Sequence, residues 1–180
     1  MKVRMVVGLL AAVLIGSGAF ALAEEESGRA GGRPTVVPVN NPQYAEECGS
    51  CHMAYPPGLL PARSWQKIMA GLDNHFGENA ELTPDVAKTL NDYLVANAAD
   101  HSVALRSERI TRTLQPDQVP MRITELPFFA REHRKIPARI STDNPKVKSM
   151  SNCNACHSRA AAGSFTEREI RIPGYPGWED

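Results

Sequence analysis

The sequence predicts a mostly α-helical protein made of two small helical lobes with long irregular connections. Three observations lead there. Apolar residues recur at helical spacing in several short runs, while no stretch alternates strongly enough to read as a strand. Segments rich in proline and glycine separate those runs. A five-residue pattern, C-x-x-C-H, occurs once in each half, as Cys48-Gly49-Ser50-Cys51-His52 and as Cys153-Asn154-Ala155-Cys156-His157.

C-x-x-C-H is the attachment pattern of c-type haem. Two thiols three positions apart, at the start of a helical turn, reach the two vinyl groups of one haem and form thioethers. The histidine that follows lies under the iron as its proximal ligand. The pattern therefore predicts two covalent haem c groups, on Cys48 and Cys51 and on Cys153 and Cys156, with His52 and His157 as proximal iron ligands. All four cysteines of the chain are used this way. Two disulfides, a redox-active dithiol or a shared zinc are the rivals. None of them explains a histidine after both pairs. The pairs also lie too far apart for a zinc ribbon, whose pairs keep within roughly 15–20 residues.

The N-terminus has the layout of an export signal. Lys2 and Arg4 precede an apolar run over residues 5–23, and Ala21-Leu22-Ala23 fits an A-x-A cleavage site. Cleavage after Ala23 is expected, with export to a bacterial periplasm, since c-type haems are joined outside the cytoplasm. With residues 1–23 removed, no second apolar run remains to hold the chain in a membrane. Residues 24–42 read as a flexible linker, 43–100 as the first haem lobe and 101–180 as the second. Charge is uneven along the chain. Residues 24–100 hold 5 basic and 11 acidic groups, and residues 101–150 hold 10 and 5. Such a dipolar chain can steer a charged protein partner. The arginines can equally neutralise haem propionates. The basic stretch has few aromatics and no nucleic-acid motif, so nucleic acid is not an expected partner.

Residues 44–52 are expected to form a short helix carrying the first motif. Pro56-Pro57-Gly58-Leu59-Leu60-Pro61 is extended or turning. Ser64 is placed to cap the next helix. Trp65, Ile68, Met69, Leu72 and Phe76 then share one face, His75 lies on that face, and Gly77 ends the helix. Thr83-Pro84 opens a helix with Val86, Leu90 and Leu94 inward, ending near Asn97. His101 follows as an exposed loop or cap residue. A short helix over 105–113 is expected, and another from Thr124 to His133, where Phe129 and His133 share a face. The second motif should sit on a helix over 152–158. The tail, 170–180, is suited to wrap a lobe.

Two irons that are closed on both sides need two distal ligands. The candidates are His75, His101, His133 and the methionines Met53, Met69, Met121 and Met150. Met53 adjoins a proximal ligand and cannot readily reach the opposite face. Met69, on the same face as His75, is the best methionine rival. Five histidines for two irons suggest bis-histidine ligation with one to spare. His75 and His133, each beside an aromatic residue, are the distal ligands we expect, with His101 as the alternative to His133. Bis-histidine irons lack the thioether that raises potential, so low potentials are expected.

Several segments resemble one family. They are Glu47-Cys48-Gly49-Ser50-Cys51-His52 followed by Ala54-Tyr55-Pro56-Pro57-Gly58-Leu59-Leu60-Pro61, then Trp65-Gln66-Lys67-Ile68-Met69 and His75-Phe76-Gly77-Glu78-Asn79-Ala80. Arg131-Glu132-His133-Arg134, residues 152–157, Phe165 and Ile172-Pro173-Gly174 continue the match. Together they are similar to the small dihaem cytochromes c that donate electrons to a small oxygen-binding monohaem cytochrome c and pair with membrane b-type cytochromes. The resemblance implies two cytochrome c-like helical haem-binding lobes, bis-histidine irons with His75 and His133 distal, and electron transfer rather than catalysis. The alternatives are a dihaem peroxidase-like enzyme, which needs an open iron position, a dihaem electron-entry subunit of a larger reductase, and a redox or gas sensor.

Overall fold

The computed structural model describes residues 34–177. The expected signal and most of the expected linker lie outside them. Among the described residues five α-helices carry the fold: α1 (Pro42–Gly49), α2 (Ala62–Met69), α3 (Pro84–Ala96), α4 (Leu105–Thr111) and α5 (Pro127–His133). Single 3-10 turns join them. Among the described residues no strand forms, and pairing is limited to isolated bridges at His75–Glu78 and His157–Ile170.

The helix starts follow local chemistry, with two exceptions. Asn41 caps α1 by accepting the Tyr44 N–H at 2.9 Å, and Pro42 sits at the first turn, where its missing donor costs nothing. Proline also opens α3 and α5. Ser64 does not cap α2. The helix starts one turn earlier after Pro61, and Asp100 Oδ1, from beyond α3, accepts the Ala62 N–H at 2.9 Å. Thr124 does not cap α5 either. It lies in a 3-10 turn, Ile123–Glu125, and the Glu125 carboxylate accepts the N–H groups of Met121 and Arg122.

The largest departure from expectation is α2. Its apolar periodicity runs on to Phe76, but the helix ends at Met69. Gly71 breaks the backbone pattern, a 3-10 turn spans Leu72–Asn74, and the chain then reverses. Phe76 and Gly77 take positive φ values, 58° and 106°. His75 N–H donates to Glu78 O at 2.7 Å, and Asn74 Oδ1 accepts the Gly77 N–H. His75 is therefore presented from a tight reversal and not from a helix face. The motif helices are also shorter than expected. Helix α1 stops at Gly49, so Cys51 and His52 lie in the turn beyond it. The second motif holds only a 3-10 turn, Cys153–Ala155.

One apolar cluster links the helices, with Tyr44, Leu59, Leu60, Trp65, Leu90, Leu94, Ile110 and Leu126 at its centre. The proline-rich segment after the first motif runs through it as a 3-10 turn, Pro57–Leu59, with extended flanks. Most of its backbone oxygens accept a hydrogen bond, because a buried carbonyl without a partner is costly. Trp65 Nε1–H donates to Pro57 O at 2.8 Å, Ser107 Oγ–H to Gly58 O at 2.8 Å, and Ala99 N–H to Leu60 O at 2.9 Å. The tail wraps back as expected: Arg171 N–H donates to Cys156 O, and Asn144 Nδ2–H to Pro173 O.

Residues 34–41, assigned from composition to the linker, are tied in place. Val36 is buried, and the N–H groups of Thr35 and Val36 both donate to Gly163 O. Gly163 has φ +71°, and a methyl group on it would collide with the Val36 carbonyl oxygen. Gly163→Ala should therefore cost about 2–3 kcal/mol, combining left-handed strain with loss of the strap. Chemical denaturation of the holoprotein measures this, and an unchanged midpoint would contradict it.

Candidate functional site

The fold gathers the expected residues into two clusters. In the first, Cys48 ends the buried side of α1, and Cys51 and His52 follow at the surface. Met53 O, which can only accept, lies 2.8 Å from His52 Nδ1, so that nitrogen carries the proton. This leaves Nε2 as the ligating nitrogen, oriented by a backbone carbonyl as metal-bound histidines usually are. The Tyr55 ring stacks on His52 at 4.9 Å and 25°. The His75 ring lies 6.3 Å from His52, nearly parallel at 23°. Phe76 packs edge-on against His75, and the Arg122 guanidinium lies 3.9 Å from the Phe76 ring centre. Burial, then His52, then Arg122 hold the His75 imidazole below the usual histidine range.

In the second cluster, His133 ends α5 and donates from Nδ1 to Phe129 O, one turn back, at 2.9 Å. Its ring stacks on Phe129 at 3.9 Å. The His157 ring lies 6.1 Å from His133, turned by 77°. Burial, then His133 and Arg106, push His157 down to about 4, so it is neutral at physiological pH, the form that binds metal. Its Nδ1 is buried with no hydrogen-bond partner among the described residues. A cavity of about 550 Å³ holds Cys153, Cys156, His133 and His157 within walls of Leu126, Phe128, Ile140, Val147, Phe165 and Ile172. That is the size and apolar character of a cofactor pocket.

The two ring separations carry chemical meaning. With a metal–imidazole bond of about 2.0 Å and about 1.1 Å from ring nitrogen to ring centre, two imidazoles across one metal lie about 6.2 Å apart. Both pairs match that spacing. Two histidines alone do not hold a metal, and among the described residues no group of three or more His, Cys, Asp or Glu could do so. A macrocycle would supply the remaining ligands, and the paired imidazoles beside C-x-x-C-H fit haem.

The rival uses of the cysteines fit poorly. None of the four is in a disulfide. Burial pushes Cys48 and Cys153 up to about 11, opposite to the depressed values of a redox-active dithiol. His101 donates from Nδ1 to Val95 O at the end of α3, the cap position expected of it. Met69 packs against the apolar cluster from α2, off the reversal that carries His75.

Sequence reasoning missed Tyr55, Phe165, Arg106 and Arg122 as parts of the sites. Phe165 packs 5.3 Å from His157. Arg106 is held over Phe128 and Phe165 and donates to Phe165 O at 3.1 Å. Only Tyr55, three residues from His52, had a local signal. Burial, then Cys153, raise its phenol to about 12, so at neutral pH it is a hydrogen-bond donor.

The family model for dihaem cytochrome c matches residues 44–165, from just before the first motif to Phe165 beside the second. The chain belongs to the dihaem cytochrome c family. As a dihaem cytochrome c it works in electron transfer, with two haem groups. Solved structures agree in sequence and fold. A dihaem cytochrome c of Shewanella baltica is 45% identical, with 77% of this chain and 98% of that one covered and a TM-score of 0.64. A dihaem cytochrome c of Rhodobacter sphaeroides is 47% identical, covering 72% of this chain and 100% of that one, with a TM-score of 0.65. No curated protein matches the chain. Among the described residues no helix is long and apolar enough to cross a membrane.

Proposed function

We propose that this dihaem cytochrome c passes single electrons between redox partners in the periplasm through two covalently held bis-histidine haems. One observation carries the reading: two histidine pairs, each at the spacing of trans ligands, each with one member in a C-x-x-C-H motif. Cys48 and Cys51 anchor one haem and Cys153 and Cys156 the other. His52 and His157 would bind the irons on the proximal sides, and His75 and His133 on the distal sides. Each haem, when bound, supplies an iron that cycles between ferric and ferrous states.

On this reading the chain is a carrier and not an enzyme. Backbone carbonyls fix the His52 and His133 rings, and aromatic packing holds His75 and His133, so each distal imidazole is pre-positioned. With two imidazoles committed to each iron, neither site would offer a substrate a place on it. The ligand set favours low potentials, because no thioether is bound. The haem lobes are residues 43–100 and 101–180. The partners we propose are a small oxygen-binding monohaem cytochrome c and a membrane b-type cytochrome, approached along the charge asymmetry of the chain.

Expression with its own leader in a bacterium that matures c-type cytochromes tests the address and the attachment together. The expected product is periplasmic, begins at Glu24 and keeps two haems through acid–acetone extraction and denaturing mass spectrometry. A product whose haem extracts, or which carries fewer than two, would overturn the covalent reading.

A further inference from the structure

Tyr55 joins the two clusters, which no sequence pattern foretells. Its ring face lies on the His52 imidazole, at 4.9 Å and 25°. Its phenol reaches across 96 residues of sequence and donates to Ser151 O at 2.7 Å. The same Ser151 oxygen accepts the backbone N–H of Cys153 at 3.0 Å. One side chain and one carbonyl oxygen thus connect the proximal histidine of the first motif to the first cysteine of the second. The backbone of Tyr55 is itself pinned, because the buried Tyr44 donates its O–H to Tyr55 O at 2.8 Å. Tyr44 belongs to the apolar cluster, so the link is anchored in the buried core.

We propose that Tyr55 is the positioning residue that couples the two haem sites, fixing their relative placement and the contact through which electrons exchange between them. The proposal rests on the two-haem reading above. The exchange moves one electron from a ferrous to a ferric iron of the same molecule, and Tyr55 keeps its proton throughout. Electron tunnelling falls steeply with distance and is favoured by bonded and hydrogen-bonded contact over empty space. A ring stacked on an axial ligand, hydrogen-bonded to the attachment segment of the other site, supplies such contact. The link also limits how far the two motifs can drift apart, since no helix spans from one to the other.

Two variants separate the parts. Tyr55→Phe keeps the ring on His52 and removes the O–H to Ser151. Tyr55→Leu removes both contacts. The readout is the intramolecular electron-exchange rate, taken from haem-methyl NMR line shapes of the half-reduced holoprotein. EPR of the oxidised protein is recorded beside it. We expect slower exchange in Tyr55→Phe, read as broadening or splitting of averaged lines, and slower still in Tyr55→Leu, with both haems low-spin throughout. Exchange as fast as in the unmodified protein, in Tyr55→Phe with two low-spin haems, would overturn the coupling role and leave the two-haem reading standing. If Tyr55→Leu loses haem, Tyr55→Phe decides, because it conserves ring volume. An unmodified protein without two low-spin haems would overturn both.

Discussion

Replacing Cys153 and Cys156 together by alanine is expected to halve the covalent haem content, leaving one haem per chain. The reason is the cavity. About 550 Å³ lined by Leu126, Phe128, Ile140, Val147, Phe165 and Ile172 lies between the motif and α5. Without a tethered occupant those side chains face water or collapse, and the segment over 141–165, made of single 3-10 turns, has little structure of its own to resist. A loss of about 5 kcal/mol lowers Tm by about 10–20 °C for a chain of this size. Pyridine haemochrome titration and calorimetry check both parts. The first haem should keep its spectrum. Retention of two haems, or an unchanged Tm, would contradict the account of the second cluster.

His133→Ala is expected to convert half of the total haem, and only half, from low-spin to high-spin. His133 is one of the two imidazoles 6.1 Å apart, and the candidate methionine that shares their cavity is Met150. The reduced variant should then bind carbon monoxide at one haem, whereas the unmodified reduced protein should bind none. His101→Ala serves as the control. Its ring caps α3 through Val95 O, so both haems should stay low-spin. If His101→Ala opens the second haem and His133→Ala does not, the assignment of the distal ligand is reversed. If the unmodified protein binds carbon monoxide readily, a sensor or peroxidase reading replaces the carrier.

What the sequence revealed follows from the range of each physical signal. Thioether attachment and proximal ligation need five contiguous residues, so both motifs stand out without any fold. Helices α3 and α5 were legible because proline at the first turn and apolar spacing agree with the tertiary result. The apolar pattern put His75 on a helix face that does not exist. Gly71 ends the helical geometry while the apolar pattern continues, and the reversal at Phe76 and Gly77 brings the ring to His52 instead. Ser64 was a locally sound cap that lost to Asp100, 38 residues from the helix it caps, and Thr124 was absorbed into a 3-10 turn, so that α5 starts after Leu126 with no side-chain cap. The second motif gave no warning that it would lack an α-helix, because a three-residue turn has no periodicity to read. Tyr55–Ser151 and Thr35–Gly163 are contacts between distant segments of chain, and nothing local encodes them.

The most direct test of the central claim is the low-temperature EPR and near-infrared magnetic circular dichroism of the oxidised protein. Two low-spin bis-histidine haems are expected, and they should differ. The nearly parallel rings of His52 and His75, at 23°, should give a rhombic spectrum, while the nearly perpendicular rings of His133 and His157, at 77°, should give a strongly anisotropic one with a single large g value. A methionine-to-iron charge-transfer band, or a high-spin signal from either haem, would contradict the claim that each iron is closed by two histidines.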